Sequence, residues 1–373
     1  MSKDMKASIL GFGMTGAVRA VAYEAVSRYY PSSPIKPVLH QAFTLEREVE
    51  KAKAFGWQAV TDLDSVIKDT EAEYIDVCLP NSMHYDAVLK AIETGKHVFC
   101  ENPLAVSVKE AREMVAAAEA KPELLNSVNF IYRRCPANVY ARRLVQKKQF
   151  GKLLEARLYY NSSWGVQTRG WLFRFPSSSL VDLGTHALDM LYFTTGFRPI
   201  ELVAASASRF EQFRRYSWRF SRMGRETFCD DETTRIMFAL PEGAFGSLEC
   251  TRNAWGTENT FGYELYFENG AIRWNYDDVD YLNIYDAAEP KRGWKRVLTN
   301  RKGFAYSSFA DGHRNGFRDF MVNALYENML KIAGKSEIAP IATFRDAYEI
   351  ERVIEAARVS WKERAWVKLE DFK

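Results

Sequence analysis

The stretch ASILGFGMTGAVRAVAYEAVSRYY (residues 7–30) constrains the fold more than any other segment of this chain. Ala7–Leu10 is a short apolar run of strand character, and apolar residues after Gly16 recur at helical spacing. Between them Gly11, Gly13 and Gly16 stand in the G-x-G-x-x-G pattern. A strand, that loop and a helix in this order form a phosphate-binding turn. Gly11 makes the tight turn, Gly13 lets backbone approach a pyrophosphate, and Gly16 lets helix and strand pack closely. The helix N-terminus then faces the phosphates. Gly11, Phe12, Gly13, Met14, Thr15 and Gly16 are therefore the expected cradle of a dinucleotide, NAD or NADP.

The alternation continues through residue 130. VLHQAF, AEYIDVCLP, HVFCE and LLNSVNF read as strands, and EREVEKAKAFG, HYDAVLKAIETG and KEAREMVAAAEA as helices. AEYIDVCLP is almost continuously apolar, as suits a strand covered on both faces. Gly56 and Gly95 close two of the helices, and Ser107 with Glu110 forms a capping box that opens the third. Strands separated by helices mean βαβ units and a parallel sheet.

After residue 150 the pattern changes. LLEARLYYNSSW, IELVAASASRF, TTRIMFAL, AFGSLECTR, GYELYFE, AIRWNY and YLNIYDA read as strands. PEG joins one neighbouring pair and Asn269-Gly270 another, so a largely antiparallel sheet is expected. Helices are expected around LGTHALDMLYF and in the C-terminal segments FRDFMVNALYENMLKIA and TFRDAYEIERVIEAARVSW. The chain of 373 residues is long enough for two cores. We place the first domain at 1–130 and the second at 131–373, with the last long helix, 343–361, packed near the first.

Composition excludes several classes. The formal charge of +3 is too small to signal nucleic acid or an anionic membrane surface. The five cysteines, at 78, 100, 135, 229 and 250, include no C-x-x-C, which argues against a disulfide framework or a zinc site. No metal is expected. Cys78 and Cys100 read as buried packing residues. No apolar run reaches the ~18 residues of a membrane span, and the N-terminus lacks the pattern of a signal peptide. A cytoplasmic location is the expectation.

The end of the second strand usually carries an acid for the ribose 2′-hydroxyl. Here Ala42 and Phe43 take that place, and nothing acidic follows until Glu46. Arg47 has the reach to meet a 2′-phosphate but also reads as a solvated helix charge. The choice between NAD and NADP stays open at this point.

Three further stretches, CLPNSMH (78–84), CENPL (100–104) and LVDLGTHALD (180–189), complete a set with GFGMTG. Together they resemble the signature motifs of the glucose–fructose oxidoreductase/inositol dehydrogenase family, in its order and spacing. NFIYRRCPA (129–137), GSLECTRNA (246–254) and WNYDD (274–278) are most similar to its levoglucosan dehydrogenase-like members. The resemblance implies an α/β protein. An N-terminal Rossmann domain would precede a C-terminal α/β domain with a large, mostly antiparallel open sheet. It also implies reversible oxidation of a sugar or polyol hydroxyl with hydride transfer to NAD(P), and a homo-oligomer, a dimer or tetramer, formed through the open sheet face. Leu79, Pro80, Asn81 and His84 would border the nicotinamide ribose, with Glu101, Asn102 and Asn129 beside them. Asp182 and His186 match the family's paired acid and histidine. At the motif that is normally Glu-Lys-Pro, this chain has Glu101-Asn102-Pro103.

That departure bears on the chemistry. Alcohol oxidation needs a hydride acceptor, a base for the hydroxyl proton and donors for the developing alkoxide. His186 is the candidate base, since an imidazole titrates near working pH, and Asp182 can orient it or bind sugar hydroxyls. A lysine could relay a proton; an asparagine can only donate an N–H and accept one bond in return. Two alternatives follow: a glycoside-cleaving or isomerising enzyme using NAD without net redox, or a catalytically weak NAD(P)- and sugar-binding protein. Tyr132, Arg133, Trp164 and His313 are further candidates to face a sugar or glycoside.

Overall fold

A computed structural model describes residues 2–163, 178–207, 232–306 and 313–372. The chain divides into two compact units, Met1–Tyr140 with Leu298–Glu349, and Ala141–Val297 with Ile350–Lys373. The division is not linear. Residues 298–349 cluster with the first unit and interrupt the stretch 131–373 that the sequence suggested as one domain.

The first unit alternates as its sequence does: β1 (Lys3–Leu10), α1 (Met14–Tyr29), β2 (Ile35–Phe43), α2 (Val49–Ala54), β3 (Gln58–Val60) and α3 (Leu63–Lys68). There follow β4 (Tyr74–Val77), α4 (His84–Glu93), β5 (His97–Cys100), α5 (Val108–Glu119) and β6 (Asn126–Val128). The strands lie in the order β6-β5-β4-β1-β2-β3, all parallel. This is the doubly wound arrangement with its switch point between β1 and β4. Every residue of β4 is buried, the one charged member, Asp76, included. The Ser107 hydroxyl caps α5 by accepting from Glu110 N at 3.2 Å, while Glu110 reaches back to Val106 N rather than to the cap itself.

The chain then enters α6 (Pro136–Gln146) and the second unit. Its strands are β7 (Leu153–Asn161), β8 (Glu201–Ala207), β9 (Thr233–Ala239), β10 (Phe245–Thr251), β11 (Thr260–Phe267), β12 (Gly270–Asn275), β13 (Tyr281–Asp286) and β14 (Lys295–Leu298). Its helix α7 (Thr185–Thr195) is preceded by one π turn, Leu180–Gly184. With β16 (Val367–Lys368) the strands form one nine-stranded sheet, β14-β13-β12-β11-β7-β10-β9-β8-β16. It is mostly antiparallel; β10 and β7 run parallel at its centre. One face is packed, with Leu158, Leu248 and Ile236 in register and buried. The alternate residues Arg157, Ser247 and Met237 form the other, more open face.

PEG makes its turn with Glu242 and Gly243 at positive φ. At the other hairpin Gly270 has a different role from the one the sequence suggested. Neither Asn269 nor Gly270 has positive φ, and a Cβ on Gly270 would lie 2.5 Å from both Phe150 and the Tyr285 carbonyl. Packing, not turn geometry, requires that glycine.

The chain returns to the first unit with α8 (Phe317–Ile332) and β15 (Ala342–Thr343), which pairs antiparallel with β6. Beside α8, Tyr326 stacks on Tyr30 with ring centroids 3.8 Å apart, and Asn328 donates to the Tyr74 hydroxyl at 2.8 Å. The helix α9 (Phe344–Glu363) then runs on into the second unit's share of the chain.

Candidate active site

In the first unit, backbone bonds align the residues just past the strand ends. Gly11 N donates to Phe43 O, Cys78 N to Leu10 O, Glu101 N to Val77 O and Asn129 N to Cys100 O, all at 2.8–3.0 Å. The parallel ladder therefore carries the predicted cofactor residues along one edge of the sheet.

The glycine loop is shaped as its spacing demands. Gly11 has φ +97°, and a Cβ there would lie 2.5 Å from the Cys78 carbonyl. A Cβ on Gly16 would lie 2.0 Å from the Gly11 carbonyl. Around Gly13 a Cβ would meet nothing within 4 Å. No protein packing calls for that glycine, and an approaching pyrophosphate would. Gly13 and Met14 are exposed at the start of α1, and no side chain caps the helix, so its first amides stay open to an anion. These features fit a dinucleotide. Phe12, Gly16 and Ala42 are buried and shape the loop from beneath. At the end of β2, Thr44 is buried and Leu45 and Arg47 are exposed, while Lys51 Nζ reaches Gly13 O at 3.4 Å.

Beneath the edge lies a charged group that the sequence did not reveal. Arg19, on α1, is wholly buried and ion-pairs with Asp76 on β4 (3.5 Å) and with Glu101, and its guanidinium lies 4.0 Å over the Phe99 ring. Glu101 also accepts from Asn129 Nδ2 at 2.9 Å. Burial pushes the Asp76 carboxyl up to about 6 against the pull of Arg19. Asn102 follows Glu101, half-buried, and its peptide bond to Pro103 is cis.

His84 has no exposed surface. Its Nδ1 lies 2.9 Å from Pro103 O and its Nε2 2.9 Å from Leu79 O, tying two strand-end turns together. Burial lowers its pKa. Leu79 is also buried, and Pro80 and Asn81 are half-exposed.

In the second unit, Asp182 lies in the π turn and His186 in the first turn of α7, so the simple helical spacing of the pair is replaced by a wider coil. Such turns recur at functional sites. The His186 ring centroid is 6.1 Å from that of Tyr160. Burial pushes the His186 imidazole down to about 4, below the reference value that first recommended it. The same cause raises Asp182, with Arg252 opposing it from 3.5 Å. Arg252 is itself buried and held by Glu232 in a two-pronged pair, Nε to Oε2 at 2.8 Å and Nη2 to Oε1 at 2.7 Å.

Arg133 corrects an expectation. It is 4% exposed, donating to Ile341 O at 3.0 Å with Asp346 at 3.4 Å. Arg134 likewise binds Ala339 O at 2.8 Å and the Tyr306 hydroxyl at 3.1 Å. A buried guanidinium must be paired, and these two anchor the returning segment rather than face a sugar. Tyr132 is also buried; His313 is exposed ahead of α8. Trp164 lies outside the described residues. Sequence reasoning missed Arg19, Glu232 and Arg252. Arg252 sits inside the quoted GSLECTRNA, yet nothing local marks its partners.

Residues 5–130 match the GFO/IDH/MocA oxidoreductase family, NAD-binding Rossmann fold, and residues 139–273 match that family's C-terminal domain. Levoglucosan dehydrogenase of Pseudarthrobacter phenanthrenivorans is 27% identical over 98% of each chain. Glucose-6-phosphate 3-dehydrogenase of Bacillus subtilis is 29% identical over 81% of this chain and 83% of its own. A solved levoglucosan dehydrogenase, in complex with NADH and levoglucosan, superposes with a TM-score of 0.89 at 25% identity over 98% of this chain and 100% of that one. The glycine loop, the strand-end edge and both matched domains lead to one conclusion: this chain belongs to the GFO/IDH/MocA (glucose–fructose oxidoreductase/inositol dehydrogenase) family of oxidoreductases and carries its NAD-binding Rossmann domain.

Proposed function

We propose that the chain reversibly oxidises a secondary hydroxyl of a sugar, anhydrosugar or glycoside at C3, with NAD as hydride acceptor. The observation that carries this reading is the pair Asp182–His186. An imidazole held neutral by burial, four residues after a carboxylate in the chain of an NAD oxidoreductase, can take up a hydroxyl proton. The likeness to a levoglucosan dehydrogenase and a glucose-6-phosphate 3-dehydrogenase supports a sugar substrate and the C3 position.

In this reading His186 takes the hydroxyl proton and Asp182 accepts from a sugar hydroxyl or steadies the imidazolium. The Asn102 amide donates to the reacting oxygen without carrying charge. Bound NAD supplies the hydride acceptor. Glu101, fixed by Arg19 and Asn129, keeps the strand edge rigid behind Asn102.

The test is NADH formation on a panel of levoglucosan, methyl glucosides and glucose 6-phosphate with either nucleotide. NADH from at least one member is expected; tight nucleotide binding with no turnover of any would sink the reading. Product without net NADH would favour the reaction without net redox that Asn102 leaves open. On the same panel Asn102→Lys should raise oxidation ~10-fold or more if the site lacks only a proton relay. A loss would show that the asparagine is integral to a different design. We further propose a homo-oligomer formed through the open sheet face; a monomer by light scattering at working concentration would rule it out.

A further inference from the structure

Among the described residues Arg252 reaches two carboxylates. Nε and Nη2 bond Glu232, and Nη1 lies 3.5 Å from Asp182. The Arg252 side chain is 1% exposed and Glu232 5%, whereas Asp182 keeps 29%. A buried, doubly bonded cation is thus aimed at the one carboxylate of the three-residue chain that remains open. Glu232 is tied in further through its backbone: its carbonyl accepts from Arg252 N at 2.9 Å and its N–H donates to Ala207 O at 3.1 Å.

We propose that Arg252 is a positioning residue of this site, fixing where the Asp182 carboxylate sits, and that Glu232 sets how strongly it does so. The proposal rests on the reading of Asp182 and His186 as site residues. The fork geometry matters, since a planar guanidinium held by two bonds to Glu232 cannot swing away from Asp182 as a lysine could.

The electrostatics give the proposal a signed consequence. Burial favours the protonated form of Asp182 and the Arg252 charge opposes it. Glu232 offsets part of that charge. Removing Arg252 should therefore move protonation of Asp182 to higher pH, and removing the Glu232 charge should move it to lower pH. The helix start packs against β7, β10 and β11. On the packed face of these strands and on α7 the other titratable groups are Tyr160, Cys250, Tyr263, Asp189 and Tyr192, all buried. Glu155, Arg157, Tyr159, Glu249, Glu264 and Tyr266 lie on the opposite face, where the cation Arg157 pairs with Glu155.

The test compares the acid limb of kcat/KM in the full-length protein for wild type, Arg252→Met, Arg252→Lys and Glu232→Gln. NADH affinity by fluorescence and thermal unfolding serve as controls. Arg252→Met should move the limb up by about one pH unit, a scale set by one close charge. Arg252→Lys should restore part of the shift, and Glu232→Gln should move the limb down. NADH affinity should hold within about twofold in all three. If Arg252→Met fails to fold, Glu232→Gln carries the test, because structural damage alone gives no downward shift. An unmoved limb, or the same direction in both variants, with Asp182→Asn inactive, overturns the proposal and leaves the site reading intact. Wild-type turnover by Asp182→Asn and His186→Ala overturns both.

Discussion

His186→Ala is expected to lower kcat ~10²–10⁴-fold, the range for losing a positioned acid or base, while NADH should still bind. The histidine lies in the second unit, on α7, and the glycine loop lies in the first. Removing the imidazole leaves the β1 to β6 edge and its backbone ladder untouched, so the loss should fall on kcat and spare the nucleotide. The pH dependence follows from burial. With its imidazole pushed down to about 4, His186 is neutral and ready to accept a proton throughout the neutral range. Wild-type kcat/KM on the acid side should stay flat until Asp182, raised by burial, takes up its proton, and then fall as pH decreases. Because the group in question must be deprotonated to act, a raised pKa shortens the active range from below. Turnover by His186→Ala at the wild-type rate would remove the histidine from the chemistry.

Gly16→Ala should have the second large effect, on dinucleotide affinity. The added methyl would lie 2.0 Å from Gly11 O and 3.0 Å from Gly11 C. Those neighbours are backbone and cannot rotate aside. Gly11 cannot yield either, since it holds φ +97° against the Cys78 carbonyl. The loop must open, at a cost of about 3 kcal/mol, the upper range for overpacking. NADH affinity should fall ~100-fold, equivalent to about 2.7 kcal/mol. Gly13→Ala is the contrast. Its methyl meets nothing within 4 Å, and its φ of −67° lies outside the left-handed region. Melting temperature should therefore hold in Gly13→Ala while affinity falls. Unchanged NADH binding in both variants would mean that the phosphates lie elsewhere.

The contrast between these glycines shows what the sequence could convey. The loop was legible because its geometry is local: strand, tight turn and helix are written within a dozen residues. Both hairpins were legible for the same reason, although Gly270 answers to the Phe150 ring rather than to its own turn. The buried role of Arg133 was not legible because its partner Ile341 comes from elsewhere in the chain, and the tie of His84 to Pro103 was hidden in the same way. A polar residue beside a motif looks the same in sequence whether it faces a ligand or pins two loops. Asp182 and His186 were singled out by motif, but the π turn and the shifted imidazole depend on packing that no spacing rule encodes. Arg19 had no signal at all, since its acids arrive on β4 and β5.

The return of residues 298–349 to the first unit has a consequence for synthesis. The chain passes between units three times, at 140/141, 297/298 and 349/350. The first and third passages fall within α6 and α9. During translation the first six parallel strands emerge early, but β6 waits for its partner β15, as Ser127 waits to pair with Thr343. The buried guanidiniums of Arg133 and Arg134 wait for carbonyls at 339–341. Domains usually complete themselves in order from the N-terminus. Here the first unit is finished only when residue 343 has left the ribosome, so its exposed edge must be kept from other chains until then.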